Sequence, residues 1–308
     1  LAHAGAAGRA LMPRWGVCAT VKAPVDQVLA FVAHHRALGA ERIWIHLDDP
    51  DDPAAEALEP LKGVRVIRCS DNYWQRSVGR RPPTHQLRQF RNVNRCYHRA
   101  RVDFLAHLDV DEYLLADRPV ADVLAEVPDD RLILRVEPWE ALHTPGLPDD
   151  IFTARHFRRQ MAEPDPALAA CLFGRFAPLL EKGMLSHTVG KCFFRTGAPR
   201  LRPNIHGARI EGERVFGGRF SPHLALLHFH AEDPARWQRG LGFRLSKGAY
   251  QFLPELQAHL LAADDAEIAA FYAMVQTARP EALAVLRAAG LLREVDLGLR
   301  AKVAGLQA

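Results

Sequence analysis

Short apolar runs and helix-like patterns alternate along the first third of the chain. Three runs rich in β-branched and apolar residues predict strands, at 17–21, 42–47 and 64–67. Apolar residues at helical spacing follow the first strand, at 25–32, and Gly39 is suited to end that helix in the left-handed conformation. This alternation predicts an α/β fold with a doubly wound, mostly parallel, Rossmann-like sheet.

The segment after the third strand is predicted to be a loop. Residues 70–83 are polar and aromatic and are interrupted by glycine and proline. Thr84 is a suitable cap for the helix that follows. The apolar stripe of that helix consists of Leu87, Phe90, Val93 and Tyr97.

The fourth predicted strand ends in a cluster of acids. The apolar run 104–108 leads into Asp109 and Asp111, at the edge of an open α/β sheet where ligands bind. Two aspartates one residue apart can hold one divalent cation that keeps phosphate oxygens among its ligands. The pair therefore predicts a metal that binds a diphosphate, and the alternative is a solvated turn. For Glu112, a cap and a direct role both remain open.

The second strand has the same kind of end. Asp48 and Asp49 follow it directly. A carboxylate at this position can accept hydrogen bonds from a ligand at the edge of the sheet. A charged, solvated loop over 48–52 is the alternative for each of them.

The second half of the chain has less regular patterns. A short helix is predicted at 119–127, and strands are predicted at 131–136, 190–195 and 223–230. Residues 141–185 form a predicted irregular insertion, which in a compact domain is usually functional. From residue 235 the pattern is helical, so we expect a helical C-terminal extension.

Composition narrows the class of protein. The 308 residues are 48% hydrophobic and 25% charged, which is typical of a soluble globular protein. A net charge of +4, without a basic stripe interleaved with aromatic residues, favours anionic ligands over nucleic acid. No apolar run is long enough to predict a membrane span. Five widely spaced cysteines indicate a reduced, cytoplasmic protein, and the first dozen residues are expected to be the frayed start of a trimmed chain.

Three stretches resemble bacterial glycosyltransferases of family 2: FVAHHRALGAERIWI at 31–45, HLDVDEYL at 107–114 and HFHAEDPARWQRG at 228–240. The resemblance extends over roughly residues 17–250. It implies a GT-A fold, a nucleotide-sugar donor that is a UDP-sugar, a Mn²⁺ or Mg²⁺ ion and a role in polysaccharide biosynthesis. In the family, the aspartate pair is the DxD motif, so Asp109 and Asp111 would contact metal and donor, with Asp111 favoured as the direct metal ligand.

The resemblance assigns roles to further residues. The family's nucleoside-binding acid lies at the end of the second strand, so Asp48 or Asp49 would accept a hydrogen bond from the base or ribose of the nucleoside. Lys22 would contact the nucleotide, although Ala23 and Pro24 stand where relatives have Asn-Glu. His228 would complete the metal shell, with a core or hydrogen-bonded histidine as the alternative. Lys191 would bind a phosphate, against a default expectation of a surface lysine. His230, which would face the same side of the strand as His228, is the other candidate for the metal contact, and His206 also resembles a family position.

Inverting transfer needs a base that takes the proton of the acceptor hydroxyl. Glu137 and Glu140 flank Trp139 after a predicted strand, and Glu140 is the predicted base. Asp111 is also predicted to be catalytic. Trp139 would stack on a sugar or belong to the core. Arg158 and Arg159 are possible acceptor contacts.

The predicted function is metal-dependent transfer of a hexosyl group to a glycan or lipid-linked acceptor. The glycosyltransferase domain would span 14–235, with a nucleotide-sugar half at 14–115 and an acceptor half at 116–235, before a helical segment at 236–308. The protein would be cytoplasmic, with peripheral contact at the inner membrane face. Two alternatives remain: a haloacid-dehalogenase-like phosphatase with Asp109 as nucleophile and Asp111 as general acid, which Tyr113 disfavours, and a non-catalytic carbohydrate-binding relative.

Overall fold

The computed structural model describes residues 12–147, 150–180, 182–230 and 233–306, so most of the expected frayed start lies outside the described residues. The strands are β1 (Trp15–Val21), β2 (Arg42–Leu47), β3 (Val64–Arg68), β4 (Phe104–His107), β5 (Glu112–Ala116), β6 (Ile133–Ala141), β7 (His156–Arg159), β8 (Lys191–Arg195), β9 (Leu201–Asn204), β10 (Gly207–Ile210), β11 (Glu213–Val215), β12 (Phe220–His228) and β13 (Leu292–Glu294).

The helices are α1 (Val25–Ala37), α2 (Ala54–Leu58), α3 (Asp71–Val78), α4 (His85–Tyr97), α5 (Val120–Ala125), α6 (Asp150–Thr153), α7 (Pro166–Phe173), α8 (Pro234–Ser246), α9 (Pro254–Ala262), α10 (Asp265–Val275), α11 (Pro280–Ala288) and α12 (Leu299–Ala304). Short 3₁₀ helices span Gly174–Leu179 and Ala249–Phe252. Among the described helices the longest have 13 residues, and none combines the length and hydropathy that a membrane span requires.

The main sheet has the order β13-β7-β6-β8-β4-β1-β2-β3, and β12 joins it through β6 and β5. The first four strands are parallel, with β1 between β2 and β4. β8 is antiparallel to both β4 and β6, while β12 is parallel to β6 and antiparallel to β5. This mixed α/β architecture confirms the predicted fold class and is consistent with a GT-A-like, Rossmann-type fold.

The first strand-helix unit forms as the sequence pattern predicts. Every residue of β1 is buried, as expected for a central parallel strand covered on both faces. Helix α1 begins after Pro24, and Gly39 has a φ of 93°, the left-handed conformation expected beyond the end of the helix. The unit brings the carboxyl ends of β1 and β4 to the same edge of the sheet.

The loop predicted at 70–83 is wrong, because α3 lies within it. The Ser70 hydroxyl accepts a hydrogen bond from the Tyr73 backbone N–H at 3.3 Å, which caps the helix. Trp74 is fully buried and attaches the otherwise polar helix to the protein, and Gly79 ends it with a φ of 83°. The polar composition of this segment therefore predicted a loop, although burial of Trp74 holds it as a helix against the protein.

The predicted stripe of α4 is only partly correct. Val93 and Tyr97 are buried, but Leu87 is 44% exposed. The buried face instead includes Gln89 and Asn92. The helix therefore presents amide side chains, rather than an apolar stripe alone, to the end of the sheet.

The region predicted as irregular, 141–185, contains α6, β7 and α7. Leu172 and Phe173 share a hydrophobic core with Trp237 and Phe271 from the C-terminal helices. The chain then returns to the main sheet, since β13 pairs with β7 and α12 packs on α1. The predicted boundary between residues 235 and 236 stays a prediction.

Candidate functional site

A turn at the carboxyl end of β4 is the centre of the candidate site. The Glu112 backbone N–H donates to the Asp109 carbonyl at 3.0 Å, and the Glu112 side chain accepts from the Asp109 N–H at 2.8 Å. Strand β5 begins at this turn, and in its pairing with β12, Glu112 lies opposite His228. The ladder continues with the Phe229 N–H, which donates to the Asp111 carbonyl at 2.9 Å. Strand pairing thus brings His228 to the aspartate turn across more than a hundred residues of sequence.

The turn forms part of the wall of a cleft of about 1170 Å³. The predicted site residues that line this cleft are Lys22, Asp109, Asp111 and His228. His187, His206 and His230 also line it. The predicted site residues outside the lining are Asp48, Asp49, Glu140 and Lys191.

Asp111 and His228 form an ion pair at the cleft. Asp111 Oδ2 lies 3.6 Å from His228 Nε2, and the aspartate side chain is 31% exposed. Burial alone would lower the pKa of His228, but the neighbouring Asp111 carboxylate raises it to about 9. Among the described atoms, His228 Nδ1 has no hydrogen-bond partner. A carboxylate and an imidazole therefore converge on one point of the cleft.

Asp109 is held by protein donors on both oxygens. The Lys191 ammonium lies 2.6 Å from Asp109 Oδ2 and 3.4 Å from Glu112 Oε2, and Gln89 Nε2 donates to Asp109 Oδ1. Burial would raise the pKa of Asp109, but Lys191 holds it well below its usual range. The default expectation of a surface Lys191 is wrong, because two carboxylates stabilise its charge in a fully buried position. Its contact with a donor phosphate stays a prediction.

A cluster of ligand-type atoms surrounds Glu112. Among the described residues, Glu112, His187 and His228 each place one such atom within 4.8 Å of the others. His187 Nε2 lies 3.1 Å from Glu112 Oε1, and burial raises the pKa of Glu112 to about 7. Glu112 caps the turn that precedes it, at Asp109, rather than the following segment, and a direct role stays a prediction. His187 was missed, because it lies in the loop before β8 and no local pattern marks it.

These residues fit a divalent cation. The available donors are carboxylate oxygen and imidazole nitrogen, a set suited to Mn²⁺ and similar ions. Asp111, His187 and His228 face the cleft, and Glu112 lies beside His187 and His228. Asp109 fits less well as a direct ligand, since Lys191 and Gln89 already occupy its two oxygens.

Asp48 lies at the end of β2, where it contacts two arginines. Arg88 donates to both of its oxygens, at 2.7 and 2.8 Å, and Arg81 Nη2 donates at 2.9 Å. The buried carboxylate thus joins β2 to α4 and the segment before it. Asp49 is exposed and accepts the Asp51 N–H at 3.1 Å. A nucleoside contact for either aspartate stays a prediction.

Glu140 is buried and does not line the cleft. Its side chain is fully buried, 2.5 Å from Arg158 Nη2, and it accepts hydrogen bonds from the backbone N–H groups of Leu185 at 3.1 Å and Ser186 at 2.7 Å. Burial would raise the pKa of Glu140, but Arg158 lowers it. These contacts hold the segment that leads to His187 in place, so the geometry favours a structural, anchoring role for Glu140. Its predicted role as the base stays a prediction.

The other aromatic and basic candidates, Trp139, Arg158 and Arg159, do not line the cleft. Trp139 is buried in the core, and the guanidinium groups of Arg159 and Arg293 lie over its ring at 5.4 and 4.6 Å. Arg158 is buried with Glu140. The burial of Trp139 therefore favours the alternative that it is a core residue.

Comparison with known families gives an activity class. Residues 16–145 match the model of Glycosyltransferase family 92. The match supports a glycosyltransferase. It covers less than half of the chain but includes Lys22, the aspartate turn and the strands that position them. Family 2 and the DxD designation stay predictions.

Comparison of sequences and structures adds little to this. No curated protein matches the chain in sequence. Similar solved structures include CMP:2-keto-3-deoxy-manno-octonic acid synthetase complexed with CTP, at 15% identity and a TM-score of 0.31, over 59% of this chain and 74% of that one. Two structures of S. aureus TarS match at 13% and 12% identity with TM-scores of 0.28 and 0.30, over 60% and 82% of this chain. The chain spans 48% and 44% of those two TarS chains.

Proposed function

We propose that the protein is a metal-dependent glycosyltransferase that moves a hexosyl group, with inversion, from a nucleotide-sugar to a glycan or lipid-linked acceptor. The family match over residues 16–145 carries this proposal. The convergence of Asp111 and His228 on the cleft supports the metal dependence. We favour a UDP-sugar donor, polysaccharide biosynthesis and a cytoplasmic site of action with peripheral membrane contact.

Different residues of the cleft would bind the metal and the phosphates of the donor. Asp111 and His228 would hold Mn²⁺ or Mg²⁺, with Glu112 and His187 beside them. When bound, the cation would neutralise negative charge on the leaving diphosphate. Asp109 keeps the turn in place through Lys191. The Lys22 side chain is exposed on the cleft wall and would supply positive charge to the phosphates.

The proposed inversion corresponds to a single displacement. The oxygen of the acceptor hydroxyl forms a bond to the anomeric carbon while the bond from that carbon to the diphosphate breaks. The electron pair leaves with the nucleoside diphosphate, and the hydroxyl proton passes to a base. The catalytic role of Asp111, which faces the cleft, would be to hold the cation, whereas Glu140, predicted as the base, is enclosed by Arg158 and the backbone.

A donor screen tests the proposal. The purified protein is incubated with UDP-, GDP- and dTDP-sugars, with and without Mn²⁺, and both the melting temperature and the release of nucleoside diphosphate are measured. We expect one nucleotide class to raise the melting temperature and to be turned over only with Mn²⁺. Hydrolysis of p-nitrophenyl phosphate without stabilisation by any donor would favour the phosphatase alternative. Donor or sugar binding without turnover would favour the non-catalytic alternative.

A further inference from the structure

A second opening borders the cleft. A groove of about 770 Å³ lies beside it, and the side chains common to both linings are Leu179, Leu180 and Leu253. The groove runs along α7 and the 3₁₀ helix that follows it, toward the start of α9. The groove and the cleft are therefore neighbours, with three leucines at their boundary.

The lining of the groove is mainly apolar. Met161, Ala169 and four prolines contribute to it together with the shared leucines. Two of its charged side chains are already engaged, since Asp165 caps α7 by accepting the Leu168 N–H at 2.9 Å and Arg175 pairs with Glu267. No histidine or lysine lines the groove among the described residues. Such a surface binds hydrocarbon far better than it binds sugar.

Exposed apolar side chains mark the junction of cleft and groove. Phe252 lines the cleft and is 77% exposed, and Leu253, which lines both openings, is also exposed. Large apolar side chains clustered at a binding opening commonly contact a ligand or a membrane. Here they lie where a chain would pass from the groove to the aspartate turn.

We propose that the acceptor is an amphiphile whose hydroxyl-bearing head occupies the cleft and whose hydrocarbon chain lies in the groove lined by Leu179, Leu180 and Leu253. This inference rests on the proposed transferase function and selects the lipid-linked acceptor over the free glycan. The position of the apolar groove beside the cleft favours the lipid-linked acceptor, because a free glycan makes no use of an apolar surface there. Each methylene that enters the groove raises affinity roughly fourfold.

The test measures hydrocarbon binding apart from catalysis. Hexyl and decyl β-maltoside, kept below their micelle concentrations, displace the fluorophore N-phenyl-1-naphthylamine from wild-type protein. Ala170→Glu places a charge at an exposed groove position of α7, and Ala167→Glu places the same charge on the same helix outside the lining. We expect decyl maltoside to bind at least tenfold more tightly than hexyl maltoside. We also expect Ala170→Glu, unlike Ala167→Glu, to weaken decyl maltoside binding at least tenfold.

Equal affinity for the two maltosides, or equal behaviour of the two variants, would overturn the inference. Release of nucleoside diphosphate from donor sugars by wild-type protein is measured separately. Donor turnover without a chain-length effect refutes the amphiphilic acceptor and leaves the transferase function intact. A chain-length effect without turnover of any donor refutes the transferase function, and with it the acceptor role of the groove.

Discussion

Replacement of Glu140 by glutamine separates an anchoring role from a catalytic one. The carboxylate is fully buried, and its partner Arg158 is only 3% exposed. Loss of the negative charge leaves a buried guanidinium without its counter-ion and weakens the hold on the N–H groups of Leu185 and Ser186. Breaking a buried ion pair by removing one partner costs about 3–5 kcal/mol, so Glu140→Gln is expected to lower the free energy of unfolding by at least about 3 kcal/mol.

The assay is urea unfolding followed by circular dichroism, with a control on the same strand. Glu137 is 21% exposed and lies 3.7 Å from the partly exposed Arg159, so Glu137→Gln is expected to cost less than about 1 kcal/mol. Adding Arg158→Met to Glu140→Gln removes the orphaned charge and should recover much of the loss. A Glu140→Gln protein that is as stable as wild type but inactive would refute the anchoring role and assign Glu140 as the base.

Three further variants test other parts of the site. Lys191→Met leaves the buried Glu112 and the partly exposed Asp109 without their counter-charge and should lower the free energy of unfolding by about 3–5 kcal/mol; an unchanged urea midpoint would contradict this. His228→Gln should weaken Mn²⁺ binding at least about tenfold by calorimetry, whereas His223→Gln, at the other end of β12, should not. Gly190→Ala should lower the melting temperature more than Gly197→Ala, because both have positive φ but only a Cβ at Gly190 would lie 2.1 Å from a carbonyl oxygen. Equal effects of the two alanines would disprove that steric argument.

Local patterns predicted those parts of the site that depend on neighbouring residues. The apolar run before Asp109 and the glycine at residue 39 are signals contained in a few positions, and the structure places both as expected. The approach of His228 came from the family resemblance. Pairing of β5 with β12 gives its physical cause, which no short stretch of sequence contains.

Burial of polar groups was the main property that the sequence left unpredicted. Lys191 resembles a surface residue until Asp109 and Glu112 are placed beside it in the fold. Gln89 lies on the buried face of α4 because its amide donates to Asp109, whereas the more apolar Leu87 is exposed. Contacts with residues distant in sequence thus determine which side chains are buried, and they override the periodicity of the helix.

The most direct test of the proposed function is the release of nucleoside diphosphate from a donor sugar by Asp111→Asn in the presence of Mn²⁺. Asp117→Asn is the matched control, since Asp117 also pairs with a histidine of β12, His223 at 3.1 Å, but outside the cleft. We expect Asp111→Asn to lose about 100-fold or more of the turnover while Asp117→Asn retains it. Wild-type turnover by Asp111→Asn would contradict the assignment of this cleft as a metal-dependent glycosyltransferase site.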